Sequence, residues 1–425
     1  MNTEPRTRLW LTSPHFYPTY GGAQNRYRSY IRGLLERGLD VEIMTGTPQL
    51  EERSEADLDA GWYDAEPGAW LPSDTLDGAP LERVRLPDTK GGERTRIYYE
   101  ALLEVCSRPA AGPVVAQLLT NMRPAASPWI RKLKQQGVAA LYSVSQYPTW
   151  PQQPIKRLTR RGGYRRVYNE FDALVTNSPA LEDFLREIGV TTRIEYIPNG
   201  VRLDRFHPVG NAAEQQARES LRASFGIPET ATVIAMVGAI MPRKSPDLVL
   251  QAWQRLLPEF PDIHLLFVGP RADTHDPKLA SFGEKIAAQI EQIGRPQQVH
   301  FSGVVDNVEA HLRAADLFVL ASQREGTPNS LLEAMAVGLP SVSTPFIGIS
   351  ASTGKAGEQF LLAERSPESL AGMLRRILLE PDLRQALAVA GRDYVATHLD
   401  QQVTLDRYAA LYRELGAAAV RRHGG

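Results

Sequence analysis

Two adjoining stretches decide the fold: Ala315-Asp316-Leu317-Phe318-Val319-Leu320-Ala321-Ser322, then Arg324-Glu325-Gly326-Thr327-Pro328-Asn329-Ser330-Leu331-Leu332-Glu333-Ala334-Met335-Ala336. The first is a short apolar block of the kind that forms a buried parallel strand. The second reads as a loop running into a helix and carries two carboxylates. Glu325 then falls just past the carboxyl end of a strand, and Glu333 in the first turn or two of the next helix. Ligands of open parallel sheets bind at that edge. Glu325 can accept hydrogen bonds from a hydroxyl-rich ligand, and the backbone N–H groups between Gly326 and Leu331 can receive a phosphate. Glu333 is placed to hold a further diol such as a ribose. Sugar, phosphate and ribose together describe a nucleotide sugar. The same residues also fit a purely structural role. Ser330 and Glu333 have the spacing of a capping box, and Pro328 suits the first helical position after Thr327.

Working outward, two segments share one grammar of strand, Gly-containing turn and helix. The first begins with Arg8-Leu9-Trp10-Leu11-Thr12-Ser13, passes Gly21-Gly22 and enters a helix near 24–37 that sets Tyr27, Tyr30, Ile31 and Leu34 on one face. Gly38 ends it, and Val41-Glu42-Ile43-Met44 supplies the next strand. The second begins with Thr232-Val233-Ile234-Ala235-Met236-Val237-Gly238 and leads through a polar turn into a helix at about 246–256. Further apolar blocks at 264–268, 299–302, 317–320 and 340–343 read as strands separated by helical patterns, as a parallel α/β sheet requires. The expected architecture is α/β, with two doubly wound Rossmann-like domains facing across a cleft. The turn Pro198-Asn199-Gly200 marks the hinge between a domain at 1–197 and one at 198–401. Residues 47–97, rich in Asp, Glu, Gly and Pro, are expected to be a solvated loop or an acceptor-side lid carrying Trp62, Tyr63 and Trp70.

A chain of 425 residues with 43% hydrophobic and 23% charged residues fits two soluble globular domains. A net charge of −1 gives no polyelectrolyte character, so nucleic acid is not an expected partner. The start lacks a signal-peptide pattern, and no run approaches the roughly 20 apolar residues of a membrane span. Cys106 is the only cysteine, which points to a reducing, cytoplasmic setting. The eight histidines show no zinc-site spacing, so neither a metal nor any other cofactor is expected.

Three further constellations carry chemistry. Gly21-Gly22, between strand and helix, lets backbone N–H groups approach a phosphate. Arg243-Lys244, in the turn after the strand that ends at Gly238, can neutralise a leaving group as its charge develops. Lys156-Arg157-Leu158-Thr159-Arg160-Arg161-Gly162-Gly163-Tyr164-Arg165-Arg166 is strongly basic within a near-neutral chain. It is either a solvated helical face or a docking face for an anionic membrane or acceptor.

The run from Glu325 to Ala336 resembles the donor-site motif E-G-x-P-x-x-x-L-E-A-M-A of retaining GT-B glycosyltransferases of family GT4. It matches at Glu325, Gly326, Pro328, Leu332, Glu333, Ala334, Met335 and Ala336. Tyr17-Pro18-Thr19-Tyr20-Gly21-Gly22 is similar to the family's Y-x-P-x-x-G-G loop. The segment 198–208 is similar to its P-N-G-V-D-x-x-x-F-x-P junction, with Arg202 in place of Asp. The resemblance implies transfer of a sugar, with retention, from a nucleotide-sugar donor that is substrate rather than cofactor to an acceptor hydroxyl. It implies that Glu325 contacts the sugar, Glu333 the ribose and Gly21-Gly22 the diphosphate, and that a terminal helix from about 402 returns to the first domain. The family pattern G-R-x-x-x-x-K places Lys244 at the Lys and Ala239 at the Arg. Either Arg243 supplies that charge or phosphate activation is weaker. The family's first-domain His is also missing, leaving Asn121, Gln146 and His15 as candidate substitutes. Alternatives are a nucleotide-sugar epimerase on the same fold and a non-catalytic sugar-nucleotide-binding subunit.

Overall fold

The computed structural model describes residues 5–17, 22–49, 60–88, 91–119, 122–145, 153–271 and 279–423. The chain divides into two compact units, Met1–Pro198 with Gln402–Gly425, and Asn199–Gln401. The first junction falls one residue after the position expected from Pro198-Asn199-Gly200.

In the first unit the described residues form an eight-stranded sheet. Its strands are β1 (Arg8–Ser13), β2 (Asp40–Gly46), β3 (Asp74–Leu76), β4 (Ala79–Val84), β5 (Val114–Leu118), β6 (Ala139–Val144), β7 (Ala173–Thr176) and β8 (Arg193–Tyr196). The order is β3-β4-β2-β1-β5-β6-β7-β8. Every pairing is parallel except β3 with β4. Helices α1 (Gly22–Glu36), α2 (Gly92–Ser107), α3 (Ser127–Gln135), α4 (Pro154–Tyr168) and α5 (Pro179–Glu187) connect the strands. Helix α1 buries Tyr27, Tyr30, Ile31 and Leu34, the face its periodicity marks. Gly38 stops the chain just beyond it, with φ at +76°.

The expectation for residues 47–97 needs correction. Asp77 and Gly78 both take positive φ, 51° and 92°, and make the tight turn of a β3–β4 hairpin that extends the sheet. Asp-Gly is a strong two-residue hairpin signal for this reason. Trp70 forms an isolated bridge with Val84 and donates to Glu104 at 2.8 Å. Arg83 lies 4.0 Å from the centre of the Trp62 ring and Arg85 5.0 Å from that of Tyr63, so cation–π contacts hold these aromatics to the sheet.

The terminal helix, Gln401–His423, packs into the first unit's core through Leu405, Tyr408, Tyr412, Leu415 and Ala419. A buried polar network pins it there. Tyr412 donates to the Gln117 Oε1 atom, and the Gln117 amide donates to Tyr27 at 2.8 Å and Ser143 at 2.6 Å. The Tyr27 and Tyr408 hydroxyls meet at 2.9 Å.

The second unit is a six-stranded parallel sheet ordered β11-β10-β9-β12-β13-β14. Its strands are β9 (Thr232–Val237), β10 (Ile263–Val268), β11 (Val299–Phe301), β12 (Leu317–Leu320), β13 (Ser341–Ser343) and β14 (Leu361–Leu362). Helix α6 (Ala212–Ser224) precedes β9, α7 (Pro246–Leu256), α8 (Ala280–Ile293), α9 (Val308–Ala314) and α10 (Asn329–Val337) run between the strands, and α11 (Pro367–Leu379) and α12 (Pro381–His398) follow β14. From β9 the chain adds β10 and β11 on one side, then crosses to add β12, β13 and β14 on the other. The carboxyl ends of β9 and β12 therefore flank a topological switch point, where open α/β sheets bind ligands.

Candidate functional site

The loop leaving β9 begins at Gly238, whose φ of +137° a side chain rarely adopts. A Cβ there would also lie 3.1 Å from Lys244 Cε. Glycine thus lets the Lys244 chain run directly over the strand end. The loop closes through a short 3-10 turn at Pro242–Lys244 and then Ser245, which takes left-handed φ and ψ of 52° and 52° before Pro246 opens α7. The loop leaving β12 lies against this turn. Gln323 N–H donates to the Arg243 carbonyl at 2.8 Å, and the Arg243 guanidinium donates to the Arg324 carbonyl at 2.8 Å. A third loop, leaving β13, pairs with the second: Ile347 N–H donates to Gln323 at 2.9 Å, and Glu325 N–H donates to Ile347 at 3.0 Å. Gly348, with φ at +105°, packs so tightly that a Cβ would collide with the Glu325 carbonyl.

These loops bring Arg243, Lys244 and Glu325 together. Lys244 Nζ is 2.7 Å from Glu325 Oε1 and Arg243 Nη1 is 3.4 Å from the same oxygen. Only 12% of the Lys244 and Glu325 side chains is exposed, against 36% for Arg243, so the ammonium–carboxylate pair is the shielded part of the site. Arg243 thus stands where it can supply positive charge in the absence of an Arg at Ala239. Lys244 and Glu325 are mostly shielded from solvent, so their charges are less screened than those of exposed groups.

Helix α10 presents its N-terminus to the same side of the sheet. The capping-box alternative does not form. Pro328 occupies the position before the helix, no side chain caps it, and Ser330 lies inside it. Asn329 at its start is held instead by Asn199, whose amide donates to the Asn329 side-chain oxygen at 2.8 Å. Leu331, Leu332, Ala334 and Met335 anchor the helix in the core, leaving Gly326, Thr327, Asn329, Ser330 and Glu333 partly accessible. Positive helix-end potential at such a terminus favours an anion.

Glu333 keeps part of its surface accessible, but its protein-rich surroundings push its carboxyl up to about 7. Desolvation is the main cause. Arg205 and Lys244 draw it back down, and Glu309 adds to the rise. Arg205 is itself held by Glu309 at 2.6 Å. Glu333 is therefore poised between its neutral and ionised forms near pH 7.

In the first unit, Gly22 is the first residue of α1. Gly21, Asn121 and Gln146 lie outside the described residues. His15 approaches Gln49, with Nε2 to Nε2 at 3.2 Å. Asn199, Arg205, Glu309, Gly348 and Arg365 were not singled out from the sequence as site residues. The sequence marks Asn199 as part of the hinge turn and of the family-like 198–208 junction, with no site role. Among the described residues, no group of three or more His, Cys, Asp or Glu is placed to hold a metal ion.

Comparison with known proteins assigns this geometry to a family. The profile of the Glycosyl transferase 4-like domain matches residues 21–200, and that of Glycosyl transferases group 1 matches residues 217–394. A D-inositol 3-phosphate glycosyltransferase of Saccharomonospora viridis is 29% identical over 61% of this chain and 59% of its own length. A GDP-mannose-dependent monoacylated alpha-(1-6)-phosphatidylinositol monomannoside mannosyltransferase of Corynebacterium glutamicum is 26% identical over 58% of this chain and 63% of its own. The chain thus spans about three-fifths of the length of the curated relatives it matches. Among solved structures, sucrose-phosphate synthase from Thermosynechococcus elongatus aligns over 97% of this chain and 100% of its own, with a TM-score of 0.73 and 21% identity. Anabaena HepE in complex with UDP-glucose aligns over 96% and 99%, with a TM-score of 0.71 and 15% identity. The fold is that of the GT-B glycosyltransferases. With one family profile on each unit, the chain belongs to the GT4-like glycosyl transferases.

Proposed function

We propose that the protein is a retaining glycosyltransferase that moves a sugar from a nucleotide-sugar donor to an acceptor hydroxyl. The observation that carries this reading is the shielded Lys244–Glu325 pair, with Arg243 on the same oxygen, at the switch point beside the α10 N-terminus. The donor diphosphate lies against Lys244, Arg243 and the α10 terminus, and Glu333 accepts from the ribose hydroxyls. Glu325 orients the sugar rather than attacking it. The acceptor oxygen attacks the anomeric carbon from the face that the diphosphate leaves. The bond from that carbon to the diphosphate oxygen breaks as the new C–O bond forms, and the acceptor proton passes to the departing diphosphate. Lys244 and Arg243 stabilise the charge that grows on the leaving group, the place where preorganised cations lower the barrier most. No metal takes part in this scheme.

The family profiles on both units favour transfer over a nucleotide-sugar epimerase or a non-catalytic binding subunit. The relatives' names make a phosphorylated polyol or a phosphoinositide the first acceptor class to test. Helix α4 supports a peripheral role at an anionic cytoplasmic membrane. Lys156, Arg160, Arg165 and Arg166 are exposed on it beside Leu158, 72% exposed. No helix among the described residues is long and apolar enough to cross a membrane. The test is incubation of UDP- and GDP-sugars with inositol phosphates, with and without EDTA, reading the product's anomeric configuration by NMR. A product with the donor's configuration, insensitive to EDTA, is expected. Inverted product, or epimerised donor formed without acceptor, would overturn the proposal.

A further inference from the structure

We propose that Arg365 is a positioning residue that fixes Lys244 and Glu325 relative to each other by joining the three loops that form the site. This rests on the glycosyl-transfer reading of that site. Arg365 lies between β14 and α11, far along the chain from either partner. Its Nη1 atom is 3.0 Å from the Ala321 carbonyl, 3.0 Å from the Ser322 carbonyl and 3.1 Å from Thr344 Oγ1. Its Nη2 atom donates to Ser245 Oγ. Ser245 directly follows Lys244, Ala321-Ser322 open the loop to Glu325, and Thr344 opens the loop whose Gly348 packs on Glu325.

Other bonds among these loops within 3.0 Å are the Lys244–Glu325 pair itself, the bond from the Arg243 guanidinium to the Arg324 carbonyl, and backbone bonds among Arg243, Gln323, Glu325 and Ile347. Arg365 crosses beneath all three loops at their roots. Ser245 holds a left-handed conformation unusual for a residue with a side chain, and such a conformation persists only where its surroundings enforce it. The bond from Arg365 is one such restraint. These four acceptors are neutral, so the guanidinium is held by oriented dipoles, and burial lowers its pKa with Asp247 acting against that. A planar fork can span acceptors on several loops, whereas a lysine ammonium is a point donor. Arg365 also lines a cavity of about 470 Å³ with Pro242, Ser245 and Gln323, through which a small cation can reach the vacated position in a truncated variant.

The experiment compares wild type, Arg365→Ala, Arg365→Lys, Lys244→Ala and the Lys244→Ala/Arg365→Ala double variant. UDP-glucose and GDP-mannose serve as donors, with inositol phosphate as acceptor. Turnover, UDP and GDP affinity, and thermal midpoint are read for each. Arg365→Ala is expected to lower kcat by about tenfold or more, since small misplacements of catalytic groups are costly, with nucleotide affinity within about threefold. In the Lys244→Ala background the same change should cost less than about twofold, because coupled groups are non-additive. Added guanidinium ion should restore part of the turnover of Arg365→Ala and none of that of Lys244→Ala. If the alanine variant does not fold, Arg365→Lys keeps the charge and is expected to show the same loss of kcat. Turnover within about twofold of wild type in a folded Arg365 variant would overturn the proposal. So would multiplicative effects of the two substitutions without rescue, which describe a merely structural arginine. A wild type that binds neither nucleotide and turns over neither donor overturns the transfer reading itself, and this proposal with it.

Discussion

At the scale of single residues, Glu333 carries a stability cost at the position proposed for ribose binding. Its carboxyl is raised to about 7 in the folded protein, against about 4.3 in an unfolded chain. The stabilising contribution of its protonated form is complete below the unfolded value and is lost as pH rises through about 7. Glu333→Gln is therefore expected to stabilise the ligand-free protein at pH 8 but not at pH 4. The gain should be about 1–2 kcal/mol, because partial exposure discounts the full shift. Urea melts at both pH values check the sign. If ribose hydroxyls require the ionised form, affinity for an intact sugar nucleotide should rise about tenfold from pH 6 to pH 8 in wild type and stay flat in Glu333→Gln. Glu325→Ala, in contrast, should impair turnover while leaving nucleoside diphosphate affinity nearly intact. Glu333→Ala should weaken the nucleotide itself, by about 1.5–3 kcal/mol. Equal small effects of both changes would speak against the assigned roles. Lys244, Glu325 and Glu333 were legible in the sequence because each lies in, or just past, a loop leaving an apolar strand. Arg365 and Asn199 were not. Arg365 reaches Ser245 across 120 residues and Asn199 reaches Asn329 across 130, and no local pattern encodes such a meeting.

Among elements, the joint between β10 and β11 contains a titratable pair outside the proposed chemistry. His264 Nδ1 and His300 Nε2 are 2.9 Å apart, with rings stacked at 5.2 Å and 3°. One nitrogen must accept for this bond to exist, so the doubly protonated pair is disfavoured. Burial lowers both, with His264 adding to the effect on His300, which is pushed down to about 4, and Arg222 adding to that on His264. The lowered folded values mean stability is full above the unfolded value near 6.5 and is lost as pH falls toward 4. His300→Phe should flatten this acid loss of stability between pH 7 and pH 5 in denaturant titrations of the whole chain. An unchanged acid limb would contradict it. The strands of this sheet were readable as apolar blocks because parallel strands are buried on both faces. The β3–β4 hairpin was obscured because its strands are short and sit at the sheet edge amid polar residues, although Asp77-Gly78 carried the turn. Likewise, a strand-ending loop can be located from sequence, but the pairing of the β12 and β13 loops depends on tertiary contacts.

For the molecule as a whole, near-zero net charge conceals local concentration. Helix α4 gathers Lys156, Arg160, Arg165 and Arg166 with no carboxylate partner among the described residues, while Arg131 and Lys134 on α3 lie within 3.4 Å and 3.1 Å of Glu170 and Asp172. If α4 is the docking face, the protein should sediment with vesicles containing anionic lipid, and release should follow added salt as exposed charges are screened. Replacing Arg160, Arg161, Arg165 and Arg166 by Ser should abolish sedimentation without changing donor affinity. Indifference to lipid charge would return α4 to an ordinary solvated face. The central claim, that Lys244 beside Glu325 drives departure of a nucleoside diphosphate, is tested most directly by diphosphate release from UDP-glucose and GDP-mannose in the presence of inositol phosphate. Wild type should release diphosphate from one of the two donors. Lys244→Ala should lower kcat by about a hundredfold while changing donor affinity far less, because the charge it meets develops mainly in the transition state. Release by Lys244→Ala at the wild-type rate would contradict the account.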